Sequence, residues 1–83
     1  MIALERRAIL EGVREVFAEQ LQIRDLTEET HLLRDLKLDS LQQLTLVVEL
    51  ENRFRVAFGD GDEAAIERVR DVVDLLERRL PGP

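Results

Sequence analysis

The residues best placed to do chemistry in this sequence are a serine and the acid before it. Leu36-Lys37-Leu38-Asp39-Ser40-Leu41 leads into an apolar-periodic stretch. Asp39 is a strong helix N-cap, and Gln42 three residues later completes a capping-box-like pair. Ser40 therefore stands in the first turn of the helix that Asp39 opens. A hydroxyl there points outward at the mouth of a long connection, where another protein can reach it. The positive end of the helix dipole and the unpaired first-turn amides favour a phosphate on that side chain. The site suits a phosphodiester, and it would accept a simple phosphate as well. Plain capping, with no further role for Ser40, is the other reading of the same residues. Nucleophilic catalysis has no support, since the motif has no His near Ser40 and no triad pattern.

The elements that must position this serine follow from hydrophobic periodicity. Leu4 to about Leu21 reads as an amphipathic helix, with Ile9, Val13, Val16, Phe17 and Gln20 at helical steps and Leu10, Val13, Phe17 and Leu21 in an overlapping stripe. Gly12 weakens it by up to ~1 kcal/mol relative to Ala. No Gly or Pro marks its end near Gln22. From Ile23 to Asp39 the pattern breaks into a long loop, the kind that tends to be functional. Its Leu32, Leu33, Leu36 and Leu38 must tuck under the bundle or form an exposed apolar strip. The helix after Asp39 keeps its period from Leu41 through Arg55, and Leu46 and Leu50 add apolar surface on a second side. A helix apolar over so much of its circumference is expected to be central and covered on several faces.

Gly59-Asp60-Gly61-Asp62 punctuates the chain, and Asp62 can cap a short turn through Ala64, Ala65 and Ile66. A final helix runs from about Val69 to Leu80 with no N-cap in sight, and Pro81-Gly82-Pro83 stops it and is expected to fray. The sequence thus predicts an all-α fold: a small four-helix bundle of three longer helices and one short one, with a long loop after the first.

Composition narrows the function classes. At 83 residues the chain is expected to form a single domain spanning 1–83. With no Cys, no Trp, no Tyr and three Phe, the core must come from Leu, Val, Ile and Ala. One His and no Cys make a zinc site improbable. Twelve cationic against 18 acidic residues give a net charge of −6, which repels phosphate backbones and argues against nucleic acid. The charged start does not resemble a signal peptide, and no uncharged run approaches a membrane span, so a cytoplasmic monomer is expected. Asp60-Gly61-Asp62-Glu63 lacks the ligand alternation of an EF-hand loop. His31 is read as a loop residue packing on the bundle or facing solvent rather than as a switch.

Longer stretches carry a resemblance. Leu32-Leu33-Arg34-Asp35-Leu36-Lys37-Leu38-Asp39-Ser40-Leu41, then Val47-Val48-Glu49-Leu50-Glu51-Asn52-Arg53-Phe54, then Phe58, Asp60, Ile66, Val69, Val72 and Leu76 are similar, nearly position by position, to acyl carrier proteins. The first helix agrees in length and apolar spacing. The resemblance implies that Ser40 anchors a 4'-phosphopantetheine arm, attached by a phosphopantetheinyl transferase from coenzyme A with Mg²⁺. The thiol of that arm carries acyl groups as thioesters, and the carrier has no catalytic activity of its own. It also implies acyl-transferring, condensing and reducing enzymes as partners, in fatty acid, polyketide or specialised lipid biosynthesis. Asp35, Asp39, Leu41, Leu44, Val48 and Glu51 become the candidate docking residues around the anchor.

The sequence departs from that pattern in three places. Lys37 stands where fatty-acid-type carriers usually have Gly, and a positive φ there would strain it. Gln42, Gln43, Thr45, Asn52, Arg53 and Arg55 dilute the acidity typical of the central helix, which points to different partner enzymes. Arg68 replaces a frequent capping Ser or Thr. Together these favour a dedicated carrier over the housekeeping fatty acid one. Peptidyl or aminoacyl carriers are a near relative, although Asp39 with Lys37 fits the acyl branch better. A helical interaction module without a prosthetic group, and a kinase substrate at Ser40, are the readings from other classes.

Overall fold

The computed structural model describes residues 5–59 and 61–80, apart from the side chain of Glu63. Three α-helices form: α1 (Arg6–Leu21), α2 (Ser40–Phe54) and α3 (Val69–Arg79). A 3₁₀ turn, Glu63–Ala65, stands where the short fourth helix was expected. No strand is formed among the described residues; a lone bridge joins His31 to Arg68. The expectations for Leu4, Asp60 and residues 81–83 lie outside the described residues.

The core is aliphatic, as composition required. Ile9, Val13, Val16 and Phe17 of α1 meet Leu46 and Leu50 of α2 and Val69, Val72, Val73 and Leu76 of α3, all buried. Burying one such side chain contributes about 1.5–3 kcal/mol. Gly12 has a specific place here. A Cβ on it would lie 2.6 Å from Cζ of Phe54, so its lack of a side chain makes room for that ring between α1 and α2.

Helix ends follow local chemistry, some of it hidden in the sequence. α1 ends at Leu21 because Gln22 takes a left-handed conformation (φ 56) and donates its N–H to Phe17 O. α2 ends likewise at Arg55, also φ 56, whose N–H reaches Glu51 O. Each is the αL termination that glycine usually supplies. The start of α3 is closed from inside the helix: one carboxylate oxygen of Asp71 accepts the N–H groups of Glu67 (3.0 Å) and Arg68 (2.9 Å).

The long loop is fastened rather than loose. Leu32 N donates to Glu67 O (2.9 Å), Val69 N to Thr30 O (3.0 Å) and Arg70 N to Glu28 O (2.9 Å). Leu26, Leu32 and Leu38 are buried and Leu36 is half-buried. Of the two outcomes open to these leucines, burial and an exposed apolar strip, Leu33 alone takes the second: it is 61% exposed. Arg6 ties the start of α1 to this loop and to α3, with guanidinium contacts to Glu28 (2.6 Å), Asp74 (2.6 Å) and Glu77 (2.9 Å). Asp62 also differs from expectation. Its carboxylate turns back to Gly59 N (2.6 Å) and pairs with Arg79, which holds its pKa below the ordinary carboxylate value, rather than capping the turn after it.

Candidate functional site

Ser40 is the first residue of α2, and its position is fixed by the residue before it. Asp39 has an extended backbone, and its Oδ1 accepts the N–H of Gln42 at 2.8 Å. Gln42 Oε1 accepts the N–H of Asp39 in return at 3.0 Å. This is the reciprocal capping box that the sequence predicts. The amides of Ser40 and Leu41 have no partner among the described residues, and the first turn therefore presents N–H groups outward. Ser40 is exposed, and no described residue hydrogen-bonds its hydroxyl.

The approach to Ser40 is a tight reversal. Asp35 N and Leu36 N both donate to His31 O (2.9 and 3.2 Å), Lys37 N to Leu33 O (3.0 Å) and Leu38 N to Leu32 O (3.3 Å). Lys37 adopts φ 54, the left-handed conformation suspected from the glycine usual at that position. This turn sends Leu38 into the core and brings Asp39 and Ser40 out to the surface. His31 serves the same turn: its Nδ1 accepts the N–H of Arg34 at 3.0 Å.

Beside the loop lies a cavity of about 380 Å³, lined by aliphatic Leu32, Leu46, Val47, Leu50 and Ile66, with polar groups such as Gln43 among its walls. By helical register Gln43, Val47 and Leu50 continue the stripe that begins at Ser40. An arm on Ser40 that bends along this stripe meets the cavity.

The candidate docking residues divide into two kinds. Leu41 (71% exposed), Leu44 (52%) and Val48 (42%) form an uncovered apolar strip at helical steps. This corrects the expectation that α2 is covered on several faces: Leu46, Val47 and Leu50 are buried, and the Leu41 side is bare. Glu51 and Asp35 each have one carboxylate oxygen held by a backbone amide. Glu51 Oε2 accepts the N–H of Phe58 (2.9 Å), and Asp35 Oδ2 accepts the N–H of His31 (2.8 Å). Leu33 joins the exposed apolar set from the loop side. The sequence left Leu33 between burial and exposure because the loop has no period to assign its side chains to a face.

The arrangement fits a phosphopantetheine. The serine hydroxyl is reachable, the free amides and helix dipole favour a phosphodiester, and an apolar cavity lies along the same helix stripe. No group of potential metal ligands gathers among the described residues.

Comparison with known proteins agrees. The family described as a phosphopantetheine attachment site matches residues 11–76. The acyl carrier protein of Thermotoga maritima is 35% identical over 77 residues, covering 90% of this chain and 95% of the relative. That of Campylobacter concisus is 34% identical over 73 residues, covering 86% and 95%. That of Wolinella succinogenes is 36% identical over 72 residues, covering 84% and 95%. With similarity this extensive, across a span that includes Ser40, the chain belongs to the acyl carrier protein family, whose prosthetic group is 4'-phosphopantetheine.

Proposed function

We propose that Ser40 is the attachment residue for the phosphopantetheine and that the chain works as a single carrier domain with no catalysis of its own. The observation that carries this reading is the bare Ser40 hydroxyl at the start of a capped helix, on the stripe that runs to the cavity. In the transferase, Ser40 Oγ gives up its proton and displaces adenosine 3',5'-bisphosphate from the β-phosphorus of coenzyme A, so that Oγ becomes the phosphodiester oxygen. No described side chain hydrogen-bonds this hydroxyl to act as its base, so activation belongs to the phosphopantetheinyl transferase. Asp39 keeps the first turn formed while the hydroxyl is modified. When attached, the group supplies a terminal thiol that bears acyl chains as thioesters.

Partners in this reading are the transferase and the acyl-transferring, condensing and reducing enzymes of a biosynthetic pathway. The net charge of −6 disfavours nucleic acid. None of the described helices is long and apolar enough to cross a membrane. A cytoplasmic monomer serving a dedicated pathway (polyketide, aryl polyene or other specialised lipid) fits the diluted charge of α2 and Lys37 in the place of glycine.

The test is intact-protein mass spectrometry after incubation with coenzyme A, Mg²⁺ and a promiscuous phosphopantetheinyl transferase. Wild type is expected to gain one phosphopantetheine and Ser40→Ala none. Equal gain in both would move the anchor elsewhere. No gain with several transferases would return Ser40 to the role of a helix-start residue.

A further inference from the structure

The cavity beside the loop has two chemically different ends. Leu32, Leu46, Val47 and Leu50 are buried and make an aliphatic floor, while Arg34, Gln43 and Glu67 are exposed and mark a polar mouth. His31, half-buried, also lines it. Two of these side chains have hydrogen-bonding capacity to spare. His31 Nδ1 accepts the N–H of Arg34 at 3.0 Å, so the neutral ring carries its proton on Nε2, and no described residue accepts that proton. Gln43 Nε2 donates to Leu38 O at 3.3 Å, a long bond, and its Oε1 has no partner among the described residues.

Resting on the carrier reading above, we infer that Gln43 and His31 tune this cavity to acyl cargo oxygenated close to the thioester, a 3-hydroxyacyl chain above all, in preference to a saturated one. The arm carries a phosphodiester and amides, which favour water, so cargo enters the cavity tail first. Its apolar tail takes the aliphatic floor, and the carbons next to the thioester stay at the mouth. By helical register Gln43 is the first residue of the stripe after Ser40, ahead of Val47 and Leu50, and so it stands at the level of those carbons. A hydroxyl on C3 there accepts from His31 Nε2–H and donates to Gln43 Oε1. A saturated chain covers the same groups without pairing them. A wholly aliphatic mouth would reverse the preference, because a hydroxyl taken from water without a partner is costly.

The experiment loads the full chain from octanoyl- and 3-hydroxyoctanoyl-coenzyme A with a promiscuous phosphopantetheinyl transferase, checks each form by intact mass, and compares their melting temperatures. The two enantiomers of the hydroxy form are measured separately. In wild type the better-held enantiomer is expected to melt about 4–8 °C above the octanoyl form, the shift of one net hydrogen bond in a chain of this size. The variants are Gln43→Leu and His31→Asn, in the second of which the Asn oxygen can take the Arg34 N–H and keep the turn supplied with an acceptor. Each is expected to lose about half of that gap or more, and the double variant to reverse its sign. Comparing two cargoes within one variant cancels any effect of the substitution on the fold itself. A wild-type gap of zero or in favour of octanoyl would overturn the inference, and so would a gap that both variants keep in full; either result leaves Ser40 as the anchor. Failure of wild type to take up either acyl-phosphopantetheine, or coenzyme A's own, would overturn the carrier reading itself.

Discussion

Lys37 holds a left-handed backbone at φ 54, three residues before the serine, where glycine would sit without strain. For a residue with a Cβ this conformation costs roughly 1–2 kcal/mol. Glycine in its place frees the unfolded chain by about 0.4–1 kcal/mol, which offsets part of the relief. Lys37→Gly is therefore expected to stabilise the protein by up to about 1 kcal/mol, a rise in Tm of about 4–8 °C for a chain of this size. Lys37→Val should lower Tm, because a β-branched side chain fits φ 54 worse still. A lower Tm for the glycine variant would mean that the lysine side chain itself supports the turn. The sequence flagged this position only through comparison of residue types. At Asp39 and Gln42, by contrast, local chemistry alone was sufficient, since a capping box depends on two side chains at a fixed spacing.

At the scale of elements, legibility tracked where the deciding atoms lie. The stripe of α1 was readable because Ile9, Val13, Val16 and Phe17 recur at helical steps and are buried together. The start of α3 was not, because its acceptor is Asp71 inside the helix rather than a residue before it. The faces of α2 were ambiguous for a related reason. Its apolar residues cover most of its circumference, and periodicity cannot say which side lacks a neighbour. Gly12 was read only as a weak helix former, whereas its contact partner, Phe54, is 42 residues away and belongs to α2. That contact is testable. Gly12→Val would drive its side chain into the Phe54 ring and is expected to destabilise by about 1–3 kcal/mol through overpacking, despite removing a glycine from a helix. Pairing it with Phe54→Ala should recover part of the loss, since the obstructing ring is gone. If Gly12→Val unfolds at the wild-type temperature, the ring has room to move and α1 and α2 are not held by this contact.

The whole molecule has its core under one side of α2 and an open cavity alongside, and the stripe from Ser40 leads into that cavity. A carrier whose cargo stayed in water would expose a growing apolar chain, at about 0.8 kcal/mol per methylene. The cavity of about 380 Å³ offers an alternative. At roughly 30 Å³ for each water-sized group, it admits on the order of a dozen methylenes. Loaded with acyl chains of increasing length, the carrier should therefore melt at progressively higher temperature, because cargo bound in the folded state has no equivalent site in the unfolded one. The rise should level off once the chain outgrows the space between the loop and α2, near a dozen carbons by the same volume argument. Thermal unfolding of the butanoyl, octanoyl, dodecanoyl and hexadecanoyl forms, compared with the unacylated holo form, reads this directly. A melting temperature independent of chain length would sink the sequestering idea while leaving the anchor untouched. A rise that continued undiminished to hexadecanoyl would show instead that the aliphatic walls, Leu46, Val47 and Leu50 among them, part further to admit longer cargo.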